Sequence, residues 1–585
     1  MRHRLLLSIL LVLAGLPVAG PAAAATSGDA RWPSLQEQIA AERAPAGSAL
    51  ARLIAENQEL GLLRPAEAHD KMGLPPWLRV LWRKQHPGAE FLANDPTGGY
   101  PLLLKEVHEW MASHPDLLPG DAARPAGEFQ EKGEKAVEAG PDERLSEEDL
   151  AIRAESDIRV NYWDPNRIVS SANNLFKGRM SMYYSDDHGA SWGSTLLPLT
   201  EGDAFQSDPA VDWTSDGTAW TTFIGVAQSG RNLELRLRAF RSGDGGAHWT
   251  PDAVISGDQL FADKQMMWTD HSDRSPFKDH IYVIWHNGAE VIMNRHTGPG
   301  ADGAWGDPVQ VSGAETKGTG IGSDVKTNSA GHVFALWPDT GSRRIYFVRS
   351  LDGGRTYSKP APVAKLFDSF AIVIPAQSLR ASLIYVTAGA FLNGRKSNVY
   401  AAWMDLNGIK GCTTPFDDPD DNVDSPCKTR IWFSKSTNGG TKWSKPVMIN
   451  NAPALNDQFN PWMVVDETTG GLGLIYYDTV GEDRTFVNLW YTSSFNEGAT
   501  WSAPVKLTSV ASSAADSAGG NFQFGDYNSL SGIAGTFFPT WADRREGLIS
   551  QIWTVQIDNH KSLTCKPADQ DRWFIDAVSI SSCTR

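Results

Sequence analysis

Positive charge is scarce in this chain. Its 53 lysines and arginines are outnumbered by 69 aspartates and glutamates, which gives a formal net charge of −16. Proteins that bind nucleic acid usually present a basic face, so this balance argues against a nucleic-acid partner. Cysteine is scarcer still, because the chain has only four and none of them forms a C-x-x-C pair. That spacing disfavours a zinc site.

Long apolar runs are missing beyond the N-terminus. Arg2 and Arg4 precede an apolar run that ends in a small-residue cleavage signal at Ala25, which predicts a signal peptide over residues 1–25. No later stretch is apolar and long enough to span a membrane. We therefore expect a soluble, monomeric protein that is secreted or periplasmic.

Export places the four cysteines in an oxidising compartment, and an even number there predicts two disulfides. Pairing of nearest neighbours gives Cys412–Cys427 and Cys565–Cys583, although other pairings remain open. The loop between the first two cysteines carries five aspartates whose oxygens could bind calcium: Asp417, Asp418, Asp420, Asp421 and Asp424. The alternative is a solvated acidic loop closed by a disulfide. No other cofactor is expected.

A short turn motif recurs along the chain. Its pattern is S-x-D/N-x-G-x-x-W/Y, in which Asp or Asn folds back on its own backbone and Gly permits a positive φ. The aromatic side chain then anchors the turn. The five clear copies are SDDHGASW, SGDGGAHW, SLDGGRTY, STNGGTKW and SFNEGATW, which end at Trp192, Trp249, Tyr357, Trp443 and Trp501.

The spacing of these turns predicts the fold. Successive copies lie about 57 residues apart, and a degenerate copy at Trp305 fills the one double interval. The interval from Tyr357 to Trp443 is longer, which implies an insertion that contains Cys412 and Cys427. Strand patterns before each turn give seven units over residues 157–556, the last without an Asp turn. We predict an all-β, seven-bladed β-propeller, with six blades as the alternative because the last unit shows only three clear strands.

The region before these units differs from them. Residues 26–118 show apolar side chains at helical spacing, punctuated by prolines, which predicts a small helical region. Residues 119–156 are charged and poor in aromatic side chains, as in a linker. Residues 557–585 are predicted to form a C-terminal tail.

The repeated turn resembles the Asp-box (BNR repeat) of the sialidase superfamily. The resemblance covers roughly 400 residues and implies a propeller fold of that type. It is less specific for activity, because the Asp box is a structural corner found in proteins of several functions. In the superfamily's sialidases, an Arg-Ile-Pro, three arginines, a Tyr–Glu nucleophile pair and an Asp acid/base form the site. This chain has no Arg-Ile-Pro, and the nearest match is DIRVN, which contains Arg159.

The resemblance also implies where a site lies. The Asp boxes join strands three and four on one face, so the inter-blade loops and the loops joining strands two and three form the opposite face. Projection onto that scheme brings together Asp208, Asp263, Lys264, Asp324, Asp457, Gln458, Asp526 and Tyr527 from the first group of loops and His286, Asp339, Asp405, Tyr477, Asp478, Asp543, Arg544 and Arg545 from the second. The acids that recur in each unit could alternatively cap backbone N–H groups.

Carboxyl groups, tyrosines and arginines on one face favour chemistry on a glycan. Candidate catalytic residues are Tyr527 or Tyr477 as nucleophile, with Asp526 or Asp478 as acid/base. Candidate substrate-binding residues are Arg544, Arg545, Asp543, Arg159, Asp208 and Asp457, and one of the two adjacent arginines could instead form a structural ion pair. We expect a sialidase-like glycoside hydrolase acting on an acidic glycan. A noncatalytic carbohydrate- or protein-binding propeller and a polysaccharide lyase are the alternatives.

Overall fold

The computed structural model describes residues 137–559. It leaves gaps at 147–152, 175–176, 230–231, 368–370, 373, 375, 377–381, 391–396, 410–425, 451–455, 481–483, 485, 514–523 and 546–549. The predicted signal peptide, helical region and calcium loop lie outside the described residues, as does the Cys565–Cys583 pair. Cys427 is disulfide-bonded. Its predicted partner, Cys412, also lies outside, so the pairing stays a prediction.

Strands dominate the described residues and fall into sheets of consecutive antiparallel neighbours. Two short strands precede the propeller units, β1 (Glu138–Ala139) and β2 (Glu143–Arg144). Blade 1 contains β3 (Arg153–Val160), β4 (Ile168–Asn174), β5 (Ser181–Ser185) and β6 (Gly193–Leu196). Blade 2 contains β7 (Asp203–Trp213), β8 (Ala219–Ser229), β9 (Asn232–Ser242) and β10 (Thr250–Val254). Blade 3 contains β11 (Ala262–Thr269), β12 (Ile281–Asn287), β13 (Glu290–Thr297), β14 (Ala304–Trp305) and β15 (Val309–Gln310), with a 3-10 turn at Gly300–Asp302.

The second half of the ring repeats this arrangement. Blade 4 contains β16 (Asp324–Thr327), β17 (Val333–Asp339), β18 (Arg344–Ser350) and β19 (Ala361–Lys365), and is followed by a small hairpin of β20 (Ala371–Ile372) and β21 (Ser382–Leu383). Blade 5 contains β22 (Val386–Ala390), β23 (Val399–Leu406), β24 (Thr429–Ser436) and β25 (Val447–Met448). Blade 6 contains β26 (Gln458–Val465), β27 (Leu472–Val480), β28 (Phe486–Ser494), β29 (Val505–Lys506) and β30 (Ser512–Ser513). Blade 7 contains β31 (Ser529–Ile533), β32 (Thr536–Asp543), β33 (Gln551–Thr554) and β34 (Ile557–Asp558).

The first strands of the blades form a closed ring. Each contacts the first strand of the next blade, and β31 of blade 7 contacts β3 of blade 1. These strands are buried along their length because they lie between neighbouring blades, whereas fourth strands such as β10 are largely exposed. The prediction of a seven-bladed β-propeller is therefore confirmed. Within the described ranges, no helix has the length and apolar composition that crossing a membrane requires.

The N-terminal strands complete blade 7. Strand β2 pairs with β33 and β1 pairs with β34, so chain segments from both ends of the propeller share one sheet. The segment predicted as a linker thus contributes edge strands, and β3 begins at Arg153 rather than at the predicted residue 157. Little in the sequence indicates this pairing, because a two-residue edge strand is held by backbone hydrogen bonds and needs no apolar pattern.

Each of the five Asp boxes forms the same corner between strands three and four. The serine hydroxyl donates to the Asp or Asn at the third position and accepts from the glycine N–H at the fifth. In the box of blade 4, burial opposes ionisation, but hydrogen bonds from Thr356 and Ser350 lower the pKa of Asp352 to about 2. The hydrogen bonds of these acids stabilise the turn, which agrees with the expectation that the Asp box is a structural corner.

The boxes also join neighbouring blades. Trp443 of blade 5 packs edge-to-face on Phe347 of blade 4, with ring centroids 5.5 Å apart, and Trp501 of blade 6 packs in the same way on Phe433 of blade 5. The glycine at the fifth position of each box lies against a ring or aliphatic side chain of the preceding blade. The corner therefore stabilises the contact between blades as well as the turn itself.

We predict that Gly440→Ala destabilises the protein far more than Gly202→Ala. Both glycines have positive φ, +82° and +90°, but a methyl group at 440 would overlap the Phe347 ring, whereas nothing lies within 4 Å at 202. The backbone conformation alone should cost about 1–2 kcal/mol at each site, and overpacking should add about 1–3 kcal/mol at 440. Urea unfolding of the two variants measures this difference. Equal losses would show that the box does not clamp the preceding blade.

Candidate functional site

Four first strands carry the same backbone irregularity. Strands β3, β7, β11 and β26 each contain a bulge at which the register shifts. The first bulged residue is left-handed in every case although none is glycine: Glu155 (φ +56°), Asp208 (+54°), Lys264 (+54°) and Asn460 (+46°). Such conformations are costly for residues with a Cβ and persist where surrounding structure enforces them. The bulges place four polar side chains at equivalent positions around the axis.

The seven first strands surround the axis of the ring, and we call the space between them the channel. Lys264 lies at the centre of a buried ion cluster at the end of the channel where the first strands begin. Its ammonium nitrogen is 2.8 Å from a carboxylate oxygen of Asp526, 2.9 Å from Asp208 and 3.3 Å from Glu155. These carboxylates come from blades 7, 2 and 1, whereas Lys264 belongs to blade 3. Burial opposes the charge, but these three carboxylates, together with that of the neighbouring Asp263, raise the pKa of Lys264 well above its ordinary value. The lysine therefore stays protonated.

Two tyrosines lie beside the ions. The rings of Tyr385 and Tyr527 are 5.4 Å apart, and the Lys264 ammonium is 6.0 Å from the Tyr527 ring centroid. Each side chain is buried, and neither hydroxyl has a hydrogen-bond partner among the described residues. Burial, reinforced by the charges of Asp208 and Glu155, raises the pKa of Tyr527 well above its ordinary value. We call Glu155, Asp208, Lys264, Tyr385, Asp526 and Tyr527 the axial cluster.

The axial cluster lies on the face opposite the Asp boxes. Its members come from the bulges in the first strands, which lie near the start of β3 and β11 and in the middle of the longer β7, or from segments just before first strands, whereas the boxes lie at the other end of each blade. Of the predicted site residues, the structure brings Asp526, Tyr527 and Asp208 together here. Other buried hydroxyls, such as those of Thr222 and Thr540, also lack a partner among the described residues, but here two tyrosine hydroxyls lie beside an ammonium group and three carboxylates, which makes the cluster a candidate site for a polar ligand.

Tyr477 and Asp478, the other predicted catalytic pair, have different partners. The Tyr477 hydroxyl donates to the Ala542 carbonyl at 2.5 Å and also to Asn528 Oδ1 at 3.1 Å, so it links blades 6 and 7. Asp478 accepts hydrogen bonds from Asn456 and Gln458. Burial raises the pKa of Asp478 to about 6 despite these bonds. None of the contacts described for this pair reaches the axial cluster.

Arg545 joins the two ends of the propeller. Its guanidinium forms a 2.6 Å ion pair with Asp543 and a second ion pair with Asp142, and it stacks 4.0 Å from the Trp553 ring centroid. Asp142 lies in the turn between β1 and β2, so the contact holds the N-terminal strands on blade 7. This agrees with the expectation that one of the two arginines forms a structural ion pair. The adjacent Arg544 is also buried, and its backbone N–H donates to Ser512.

Arg159 is buried in the channel, further toward the Asp-box face. It lies 3.6 Å from Asp157 and 4.0 Å from Asp212, and its guanidinium is 5.3 Å from the Trp268 ring centroid. Asp457, another predicted substrate-binding residue, is buried and accepts hydrogen bonds from the backbone and side chain of Thr429. All the contacts described for Arg159 and Asp457 are with other residues of this protein.

Several acids that recur in the first strands accept backbone hydrogen bonds from the next blade along the chain. Asp157 accepts from the Val211 N–H, Asp212 from Thr269 and Asp324 from Ala388. Others accept backbone hydrogen bonds from the segments that connect blades, as Asp339 does from Gly318 and Asp405 from Phe367. His286 contacts Asp263 at 3.6 Å and the Gly288 carbonyl. The alternative that repeated acids cap backbone groups therefore describes these residues.

The Asp-box end of the channel is crossed by His271. This residue of blade 3 contacts Glu467 of blade 6 at 2.7 Å and Asp212 of blade 2 at 3.0 Å, and Tyr162 stacks on its ring. Burial alone would lower the pKa of His271, but the two carboxylates raise it to about 10. Blades 3 and 6 are not neighbours, so the His271–Glu467 contact spans the axis.

Sequence reasoning missed Glu155 and Tyr385 and gave Lys264 no role. Glu155 falls before the predicted propeller boundary, in the segment expected to be a linker. A signal was present, since aligning the first strands on AESD, SDPA, DKQM and FNPW puts Glu155, Asp208, Lys264 and Asn460 in register. Tyr385 carries no comparable signal.

We predict that His271→Gln destabilises the protein at neutral pH, because it leaves Asp212 and Glu467 buried without their cationic partner. Loss of one member of a buried ion pair costs about 3–5 kcal/mol. Because the pKa of His271 is raised in the folded state, its contribution to the free energy of unfolding is complete below pH 6.5 and is lost as the pH rises through about 10.

The difference in unfolding free energy between wild type and His271→Gln should therefore shrink between about pH 7 and about pH 10.5. His248→Gln is the matched control, because its side chain is 87% exposed and should change stability little at either pH. A His271→Gln deficit that stays constant over this range would contradict a protonated histidine.

No family model and no curated protein matches this chain. Similar solved structures include a protein of unknown function from Dyadobacter fermentans, with 13% identity, coverage of 72% of this chain and 99% of that one, and a TM-score of 0.40. Another is the α-L-arabinofuranosidase Arb93A from Fusarium graminearum, with 11% identity, 70% and 98% coverage, and a TM-score of 0.38. The NanB sialidase from Streptococcus pneumoniae has 10% identity, 73% and 71% coverage, and a TM-score of 0.34. At these identities and TM-scores the fold assignment depends on the strand order of this chain.

Proposed function

We propose that this protein acts on a glycan as a glycoside hydrolase, and that the axial cluster is its active site. The observation that carries the proposal is the buried hydroxyl of Tyr527, which has no hydrogen-bond partner among the described residues and lies in a cluster with three carboxylates. Glycoside hydrolysis needs a nucleophile or an activated water together with carboxyl groups that accept and donate protons. The axial cluster supplies both kinds of group.

Tyr527 is the proposed nucleophile. Its raised pKa means that the phenol carries its proton at neutral pH, so a base has to remove it during attack. Glu155 or Asp208 takes that proton while the phenol oxygen bonds to the anomeric carbon. The bond from that carbon to the leaving oxygen breaks at the same time, and the leaving oxygen takes a proton from solvent water, because Asp526, the residue predicted as acid/base, is held as a carboxylate 2.8 Å from the Lys264 ammonium. Water then releases the sugar by the reverse sequence of proton transfers.

The net charge of the axial cluster affects which sugars can bind there. Three carboxylates surround one ammonium group, so a sialic or uronic acid would bring a further negative charge to an already anionic site. Arg545, one of the two arginines expected to hold a sugar carboxylate, is already paired with Asp543 and Asp142. We therefore expect neutral glycans to be better substrates than the acidic glycan that the sequence suggested. A lyase acting on uronic acids is disfavoured for the same reason.

A noncatalytic glycan-binding propeller is the second candidate. It is favoured by the deep burial of the axial cluster, in which even the Lys264 side chain is only 8% exposed. A cluster that is fully satisfied by its own ion pairs could stabilise the ring and leave recognition to the surrounding loops. Export to the periplasm or the medium, proposed from the N-terminal sequence, suits either function.

We predict that Tyr527→Phe abolishes glycan turnover and leaves the thermal unfolding midpoint nearly unchanged, because the lost hydroxyl has no partner among the described residues. The measurement is a screen of the purified protein on neutral glycosides, arabinans, sialosides and uronic polysaccharides, followed by kinetics of the variant on the best substrate.

Tyr477→Phe is the matched control. Its hydroxyl holds two hydrogen bonds, so this variant should lose about 1–3 kcal/mol of stability and keep its turnover. Full activity of Tyr527→Phe would remove that residue from the mechanism. Glycan binding by the wild type without turnover on any member of the panel would favour the binding propeller.

A further inference from the structure

We infer that Lys264 is a positioning residue, whose ammonium group keeps three carboxylates ionised around the Tyr527 hydroxyl so that the site can stabilise a transition state with positive charge on the sugar. This inference rests on the proposed function and extends it to a residue outside the acid/base and nucleophile roles. It is carried by geometry that can be tested separately from activity.

Carboxylates from three different blades surround the Lys264 ammonium group. Asp526, Asp208 and Glu155 belong to three different blades, yet each places a carboxylate oxygen within 3.3 Å of the same nitrogen. The Asp526 N–H also donates to Glu155 at 3.2 Å, so the segments of blades 1 and 7 that carry these carboxylates meet directly. Carboxylates this close repel one another unless a cation lies between them or a proton is taken up.

The backbone of Lys264 is strained at its bulge. Its left-handed backbone, at φ +54°, is shared with Glu155 and Asp208 at the equivalent bulges of blades 1 and 2. The Lys264 N–H donates to its neighbour Asp263 at 2.8 Å, which fixes the bulge locally. The same bulge occurs at Asn460 of blade 6, which donates to the Gly525 carbonyl instead, so the bulge is a repeated feature of the first strands that places the Lys264, Glu155 and Asp208 side chains where they meet.

The transition state of glycoside hydrolysis gives these carboxylates a role. Hydrolysis of a glycoside passes through an oxocarbenium-like transition state, with positive charge shared between the anomeric carbon and the ring oxygen. Fixed negative groups in a buried site stabilise that charge without reorganisation. Lys264 neutralises part of the charge in the resting protein, which allows the carboxylates to remain ionised and buried until the substrate arrives. It also explains how Glu155 or Asp208 can be ready to accept the Tyr527 proton.

The test compares Lys264→Met with Lys326→Met. Lys326 is also buried in the channel and pairs with one carboxylate, Asp324, at 2.7 Å, but it contacts no member of the axial cluster in the described structure. Without Lys264, no cation separates the three carboxylates, so keeping all of them ionised costs more free energy. The acidic limb of the kcat/KM–pH profile on the best glycan should then shift upward by about one pH unit or more, whereas Lys326→Met should leave the limb in place.

A second readout does not need a substrate. Carboxyl groups whose folded-state pKa is raised contribute stability below their unfolded pKa and lose it as the pH rises through the folded value. The stability deficit of Lys264→Met should therefore be larger at about pH 8 than at about pH 5, and this change should exceed that of Lys326→Met. If Lys264→Met does not fold, Lys264→Met/Asp208→Asn removes one of the repelling charges and should recover folding.

The outcomes distinguish the proposed hydrolase function from the positioning role of Lys264. Absence of turnover by the wild type would overturn the proposed hydrolase function, and the pH dependence of stability would still decide the electrostatic role of Lys264. An active wild type whose Lys264→Met variant keeps its acidic limb would overturn the positioning role and leave the hydrolase intact. The same pH dependence of stability in the two lysine variants would also overturn it, as would failure of the double variant to fold.

Discussion

The structure depends on seven first strands that lie side by side around one axis. Their inward side chains face one another across a narrow channel, where an unpaired charge is costly, so polar groups there have to be matched between blades. Two cations pair with carboxylates from different blades, one at each end of the channel. Lys264 gathers carboxylates from blades 1, 2 and 7, and His271 joins blade 3 to Asp212 and Glu467 of blades 2 and 6. Both sets of contacts cross the axis, so each stabilises the closed ring as a whole.

The two faces of the propeller have different tasks. On one face the Asp boxes satisfy their own backbone and press against the preceding blade, which leaves their acids with lowered pKa values and no chemistry to perform. On the other face the bulged first strands of blades 1 to 3 hold Glu155, Asp208 and Lys264 beside Asp526 and the two tyrosines, which precede the regular first strands of blades 7 and 5. The bulges link these tasks, because they turn side chains toward the axis without interrupting the inter-blade packing further along the same strands.

Closure of the ring explains a residue that the sequence assigned to substrate binding. Arg545 follows β32 closely, and its contact with Asp142 fixes the N-terminal strands as the edge of blade 7. Asp526 and Tyr527 immediately precede the first strand of that blade, so the sheet that closes the ring also positions two members of the axial cluster. A guanidinium used in this way is not available to a sugar carboxylate, which is one reason for proposing neutral glycans as the better substrates.

The sequence by itself determined the repeat length, the corner turns and a ring of seven blades with six as the alternative, because each follows from local turn chemistry repeated at a fixed interval, and the resemblance to Asp-box propellers implied the face on which the polar loops meet. It also singled out Asp526, Tyr527 and Asp208. Only the tertiary structure decided which of the projected residues share a site. Tyr477 and Tyr527 look alike in sequence, but one hydroxyl is used between blades 6 and 7 and the other has no described partner. Glu155 and Lys264 lie 109 residues apart in sequence, and a bulge at each, together with ring closure, brings them to 3.3 Å. No local pattern specifies such a contact, because it depends on how whole blades are arranged around the axis.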